Sequence, residues 1–218
     1  MKIKWIVLAL LCVISFQNIA RLNAQENKII LLPKPRMEGG MPLMEALKKR
    51  QTSREYSTKK LSDQLISDLL WAANGINRPE IKKRTAPSAM NYQEIDIYVA
   101  KADGLFLYNA EKHALVQLSK TDIREKTGTQ EFVKVAPVNL VFVADYNKMA
   151  KQDEKTKDLY AMADASFISE NVYLFCSSEG LATGVRAWID KDLCSKAMSL
   201  QPNQHIMLAQ SVAYPREE

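Results

Sequence analysis

The sequence predicts an α+β domain in which a mixed sheet packs against one long, buried helix. The prediction comes from apolar residues alternating between 95 and 118, a nearly all-apolar run from Val138 to Ala144, and an unbroken helical stretch from Lys155 to Ser178. With 218 residues, 47% apolar and 25% charged, the chain is long enough to bury a core of its own. Seven Gly and eight Pro exclude a collagen-like or low-complexity protein. Three Cys exclude a disulfide scaffold, and two His argue against a histidine-rich metal centre.

Residues 1–24 read as a secretory signal peptide. Lys2 and Lys4 precede an apolar run from Trp5 to Phe16, and Leu22-Asn23-Ala24 offers a small residue at the exit. The run falls short of the roughly 20 apolar residues that span a bilayer, so cleavage near Ala24 is expected over an uncleaved membrane anchor. Cys12 follows Leu11 inside the run, a poor match to a lipoprotein cleavage box. The expected location is periplasmic or secreted, with no stable membrane span after cleavage. Cleavage removes Lys2, Lys4 and Arg21 and no acid, taking the net charge from +5 to +2. That balance gives no case for nucleic acid as a partner. Cys176 and Cys194 remain, both in helix-like apolar settings that suit buried free thiols. No twin-arginine pair precedes the run, so the chain would cross unfolded and acquire any cofactor outside the cytoplasm.

Residues 25–41, with Pro33, Pro35, Gly39 and Gly40, read as an extended arm, and 42–218 as the folded domain. Pro42 opens a helix whose apolar face is Leu43, Ala46 and Leu47, running to Arg50. Ser62 caps a second helix, with Leu65, Ile66, Leu69, Leu70 and Ala73 at helical spacing and Gly75 as its stop. Residues 76–93 lack periodicity and read as a long loop. Ile95, Ile97 and Val99 alternate with Asp96, Tyr98 and Ala100 as in a half-buried strand. Asp103-Gly104 turns it into a second strand, and 114–118 makes a third. Val138 to Ala144 is the central strand. The long helix is apolar on several sides around Phe167, Val172 and Phe175. A strand from Thr183 to Ile189, a short helix from Asp192 to Leu200 and a strand from His205 to Val212 complete the chain. His113 and His205 read as surface or sheet-edge residues, and Trp71 and Trp188 as core.

Three segments could carry chemistry. Arg50-Gln51-Thr52-Ser53-Arg54 sets two guanidiniums and two hydroxyls directly after a helix, donors that suit a phosphate, although cations also stabilise a helix C-terminus. Pro87-Ser88-Ala89-Met90-Asn91-Tyr92-Gln93 places small and amide residues before a strand, where they can face a planar ligand or simply cap backbone. Glu179-Gly180-Leu181-Ala182-Thr183-Gly184-Val185-Arg186-Ala187 leads from the long helix into a strand, and Gly180 also serves as a helix stop. No Walker loop, GxGxxG, GxSxG or HExxH occurs.

The order of these segments resembles the nitroreductase-type flavoproteins. The likeness rests on R-x-[ST]-x-R after a helix, L-S-D-x-L-L-W-A-A-N-G-I-N-R-P, A-P-S-A-x-N, A-P-V-N-L-V-F-V and a long helix ending E-G-L. It covers residues 43 to 214 and is greatest for the azoline dehydrogenase branch. The resemblance implies a three-layer α+β fold with a mixed, mainly antiparallel sheet, and a homodimer holding FMN at each subunit interface. Arg50 would match the family's phosphate-contacting Arg, Thr52 the hydroxyl beside it, Gln51 a further flavin contact and Arg54 the cation near the pyrimidine edge. Pro87, Ser88 and Ala89 would match the loop packed on the flavin bound mainly by the partner. Thr129 and Gln130 match the region contacting the pyrimidine oxygens. Arg186 and Ala187 match the strand whose backbone amide faces the flavin N5.

Three departures accompany the match. The sequence stops four residues after Tyr214, without the basic tail many relatives place on the phosphate, leaving Arg216 as a stand-in. Ala213 replaces the usual glycine before Tyr-Pro, and Gln51 removes one charge. The function expected is an FMN-dependent oxidoreductase passing two electrons in a ping-pong cycle to a small conjugated molecule such as a nitroaromatic or quinone. NAD(P)H is a candidate donor, although reduced nicotinamides are cytoplasmic and an exported enzyme would need another. The alternative is an exported flavin- or aromatic-ligand-binding protein without turnover.

Overall fold

A computed structural model describes residues 28–217, so the segment read as a signal peptide lies outside the described residues. Among the described residues nine strands and four α-helices are formed. The strands are β1 (Ile29–Leu31), β2 (Ile76–Arg78), β3 (Lys83–Arg84), β4 (Ile95–Lys101), β5 (Gly104–Asn109), β6 (Ala114–Ser119), β7 (Val138–Asp145), β8 (Ala182–Arg186) and β9 (Gln204–Ala213). The helices are α1 (Leu43–Lys49), α2 (Asp63–Asn74), α3 (Glu154–Glu179) and α4 (Lys191–Met198). Seven strands form one sheet in the order β1-β6-β5-β4-β7-β9-β8, with the all-apolar β7 near its centre. Every pairing among the described residues is antiparallel, so the parallel pair that a mixed sheet allows for does not occur there.

The sheet is the middle of three layers because its strands bury both faces. Ile95, Ile97, Val99, Leu140 and Phe142 pack with α2 and α3, while Tyr98, Ala100, Val141, Val143 and Ala209 pack with Cys194 and Met198 of α4. β4 is therefore not half-buried as its alternation predicts: Tyr98 and Ala100 are covered by the second layer, and Asp96 alone keeps partial exposure within its first six residues. Alternation records polarity, and the small or amphipathic residues at 98 and 100 carry no polar label that would expose them.

α2 starts where expected. Ser62 accepts the Leu65 N–H at 3.2 Å, and the helix stops at Gly75, whose N–H donates to the Trp71 carbonyl at 2.8 Å. α3 ends at Gly180, which takes the left-handed conformation (φ 67°) that closes a helix without a side-chain clash. Its buried stripe is Ala161, Ala165, Ile168, Val172 and Cys176, one face at helical spacing. Phe167 instead stands half exposed, so within one chain α3 is buried from one side rather than from several.

Other expectations also change. The arm is extended, but residues 29–31 also pair with β6 and add an edge strand too short to show a period. The 76–93 loop contains the small β2–β3 hairpin and two 3-10 turns. β8 ends at Arg186, three residues before the expected limit, and Trp188 consequently lies 74% exposed rather than in the core. Of the α1 apolar face only Ala46 is buried, while Leu43 and Leu47 face outward. His113 is an internal latch: its Nε2 lies 2.7 Å from the Ser67 hydroxyl, which donates to the Pro33 carbonyl at 2.5 Å, and its Nδ1 lies 3.0 Å from the Tyr108 hydroxyl. Burial holds its pKa below the usual imidazole value. His205 opens β9 stacked on Tyr146 at 4.0 Å. Cys176 and Cys194 are buried free thiols, pushed up by burial, to about 11 for Cys194.

Candidate functional site

The chain leaves α1 at Arg50, whose N–H still closes on the Ala46 carbonyl at 2.8 Å while its own ψ of 122° turns the backbone extended. The next residues run beside β8. Ser53 donates its N–H to the Thr183 carbonyl at 2.9 Å, Ser57 donates to the Tyr214 carbonyl at 2.9 Å, and Tyr56 bridges Pro215. This close passage requires Gly184: a Cβ there would stand 3.1 Å from the Tyr56 hydroxyl and 3.3 Å from both the Ser53 carbonyl and the Thr52 methyl.

Tyr173 of α3 joins the pieces. Its hydroxyl receives the Val185 N–H at 3.0 Å and lies 2.9 Å from the Thr52 hydroxyl. The Arg50 guanidinium lies 5.1 Å from the centre of the same ring. Arg54 lies over a different ring, Phe132, at 5.9 Å. Neither Arg50 nor Arg54 is paired with a carboxylate among the described residues, in contrast to Arg36, Arg124 and Arg216. Gln51 and Thr52 are exposed at the same place. Arg216 is held elsewhere: its backbone N–H donates to the Glu55 carbonyl at 3.1 Å and its side chain faces the Glu55 carboxylate at 4.0 Å.

Gln130 precedes by two residues the Phe132 ring that Arg54 covers. Its Oε1 is buried without a hydrogen-bond partner in the chain. The Tyr56 hydroxyl is buried in the same condition, and burial pushes its pKa up to about 12. Unpaired buried polar atoms carry a desolvation cost. Thr129, the residue before Gln130, is exposed.

Arg186 is different. Its guanidinium points inward, where Nε donates to the Thr127 carbonyl (3.2 Å), Nη1 to the Ser211 hydroxyl (2.8 Å), and Nη2 to the Thr127 hydroxyl (3.0 Å) and Asn139 Oδ1 (3.1 Å). Burial lowers its pKa to about 10, which leaves it charged at neutral pH. Its backbone stands opposite Ala209 in the β8–β9 ladder, and the next residue, Ala187, is exposed.

The Pro87-Ser88-Ala89 turn lies apart from these residues. The Ala89 N–H donates to Asp164 Oδ2 at 2.8 Å. Asp164 precedes Tyr173 by nine residues on the same helix, about 14 Å along its axis. One chain therefore gathers Arg50, Gln51, Thr52, Arg54, Gln130 and the β8 end, and presents Ser88 and Ala89 further along α3. Sequence reasoning missed Tyr173, Tyr56 and Phe132, which resemble ordinary packing residues. It also missed the Asn139–Ser211–Thr127 cradle, although an Asn inside an otherwise apolar central strand is a visible signal.

Among the described residues no cluster of three or more His, Cys, Asp or Glu is placed to hold a metal, and no helix is long and apolar enough to cross a membrane. The layering defines an α+β fold with a bare cationic stretch beside an outer strand. The chain belongs to the nitroreductase family, whose model matches residues 47–214. It is 28% identical over 162 residues, 69% of this chain and 81% of the other, to a protein of Methanocaldococcus jannaschii described as a nitroreductase. A crystal structure described as a nitroreductase from Ralstonia eutropha JMP134 superposes with a TM-score of 0.84 at 37% identity, over 89% of this chain and 92% of that one. The NADPH:FMN oxidoreductase of Vibrio harveyi, solved with NAD+, shares the fold with a TM-score of 0.58 at 17% identity, over 80% of this chain and 69% of that one.

Proposed function

We propose that the protein is an exported FMN-dependent oxidoreductase, a homodimer whose cofactor lies between the subunits. The observation that carries the reading is the pair of carboxylate-free guanidiniums, Arg50 and Arg54, on a segment that runs along β8, with the unpaired amide oxygen of Gln130 two residues from the ring under Arg54. FMN fits those groups: Arg50 and Thr52 offer donors to its phosphate, Gln130 an acceptor to the N–H of its pyrimidine ring, and Arg54 a charge near the pyrimidine oxygens. Bound FMN supplies two-electron hydride chemistry, in a ping-pong cycle between a reduced donor such as NAD(P)H and a small conjugated acceptor.

The chain's own residues supply binding and position. Tyr173 fixes the spacing between the RQTSR stretch and β8, because its hydroxyl meets both. The Arg186 cradle anchors the end of β8, so the backbone at Arg186 and Ala187 offers a fixed donor instead of a mobile loop. Dimerisation accounts for two further features. Ser88 and Ala89 lie too far along α3 to join their own chain's site but can face a second copy's. Leu43, Met44, Leu159 and Phe167 stand exposed on α1 and α3, where an isolated chain gains nothing from apolar surface.

Purified protein should be yellow, or gain thermal stability on adding FMN, and should bleach with dithionite. A colourless protein with no FMN-induced shift would sink the reading. Bleaching by dithionite but not NAD(P)H would leave a different donor. The likeness to azoline dehydrogenases makes a heterocyclised peptide worth including beside nitroaromatics and quinones. Ser88→Trp is expected to weaken FMN binding by about 5- to 150-fold, the scale of a clash costing about 1–3 kcal/mol. In mixed dimers the defect should appear in the site of the unsubstituted subunit; confinement to the substituted chain would refute the shared site.

A further inference from the structure

A second pair of polar groups lies under the Ser88–Gln93 loop, away from the Arg50 cluster. Glu94 is fully buried, and neither carboxyl oxygen has a hydrogen-bond donor within the chain. The carboxyl group that interacts with it is Asp164, 2% exposed, whose Oδ2 receives the Ala89 N–H at 2.8 Å. Between Ala89 and Glu94 the backbone is held in an unfavourable shape. Met90, Asn91 and Gln93, none of them glycine, have φ of 50°, 57° and 49°. Such a loop needs anchors, and three are visible. Ala89 is tied to Asp164, the Gln93 N–H donates to the Ser88 hydroxyl at 3.1 Å, and Arg84 Nε donates to Gln93 Oε1 at 2.9 Å.

We propose that Asp164 and Glu94 are positioning residues for the cofactor: packed together under the loop, they hold the Ala89 amide, and with it the strained loop, in the shape that faces the partner's ring. The inference deepens the FMN reading and rests on it for what the loop faces, though the latch itself is a property of the bare chain.

The chemistry follows from burial. Two adjacent carboxylates away from water cannot both ionise cheaply, so one keeps a proton and donates it to the other. A proton kept on Glu94 makes this otherwise donorless side chain a donor toward Asp164, while Asp164 Oδ2 keeps the Ala89 N–H. The other charged or titratable neighbours do not replace this arrangement. Lys148 is committed to Asp96 at 3.0 Å and the Gln93 carbonyl at 3.3 Å; Arg84 binds Gln93 and the Asn74 carbonyl; Tyr146 is bonded to Asp158 and stacked on His205. Burial first, then Asp164, pushes the Glu94 carboxyl up to about 7.

A carboxyl with a raised pKa in the closed loop and an ordinary one when the loop opens favours closure below its ordinary value. That advantage declines as pH rises toward 7 and is fully lost above it. Hydrogen exchange of the 88–93 amides in FMN-free, full-length protein should therefore show protection, corrected for intrinsic rates, falling roughly tenfold per pH unit between 5 and 7 and levelling above. Glu94→Gln should abolish that dependence. Asp164→Asn, whose amide can donate to an ionised Glu94, should also show no fall in this window, which keeps the test open if one variant folds poorly. Flat protection in the parent, or a parent-like fall in both variants, overturns the latch.

FMN titration separates the two readings. The ratio of parent to Glu94→Gln affinities should change across the same window, the ligand's own phosphate titration being common to both. FMN that binds with a constant ratio overturns the positioning role and leaves the cofactor reading intact. FMN that binds neither protein at any pH overturns the cofactor reading, and with it what the loop faces.

Discussion

Arg186→Ala should unfold with a loss of about 3 kcal/mol, measured by denaturant titration, or roughly 6–12 °C in melting temperature. Four hydrogen bonds from one guanidinium tie β8 to β7, β9 and the turn at Thr127. Without it the Thr127 carbonyl loses its donor in a buried place, a cost of about 1–3 kcal/mol, and the space left by a long side chain adds to it. Asn139 and Ser211 retain each other, and the Thr127 hydroxyl retains the Arg124 carbonyl at 2.8 Å, so the loss is partial. Lys at this position restores the charge without the planar fork and should recover less than half. A variant within 1 kcal/mol of the parent would show that water fills the cradle adequately. Because β8 borders the candidate cofactor site, the variant should also bind FMN poorly at temperatures where it remains folded.

The second large effect belongs to ligand affinity and leaves stability alone. Arg50→Ala should weaken FMN binding by roughly 1.5–3 kcal/mol, about 10- to 150-fold, read by fluorescence quenching on titration. Its unfolding should shift by no more than about 0.5 kcal/mol, since Arg50 is partly exposed, unpaired with any carboxylate among the described residues and bonded to α1 through its backbone. Lys should be intermediate, because a point charge keeps the attraction but not the paired donors. Equal affinity in Arg50→Ala and the parent would remove this residue from the phosphate end and shift attention to Arg54.

Period-two and helical patterns made most of the architecture legible. The β4–β5–β6 meander, β7 and α2 with its Ser62 cap lie where the alternation, the Asp103-Gly104 turn and the cap chemistry place them. Features set by three-dimensional neighbours were not legible. Nothing in the string marks Tyr98 and Ala100 as covered by α4, or Trp188 as lying beyond the end of its strand. β1 is three residues long, less than two periods of any pattern. The candidate site divides the same way. Arg50, Thr52 and Arg54 are recognisable by residue type and spacing, whereas Tyr173 reads as one more aromatic on a helix until its hydroxyl is seen between Thr52 and Val185. Arg186 is legible only as part of a strand whose backbone amide could face the flavin; the structural role of its guanidinium is not, because its polar neighbours come from positions 127, 139 and 211.

The short pairing of Ile29–Leu31 with β6 has a consequence for handling the protein. With that three-residue arm covering β6 at one border of the sheet and the Ser53 segment lying along β8 at the other, neither of these longer strands offers a bare ladder of amides to a stranger. Preparations trimmed to begin at Pro33 would unmask β6 and invite chain-to-chain stacking into insoluble assemblies. Expression clones that preserve Lys28 and everything after it should stay dispersed at concentrations where the trimmed ones precipitate.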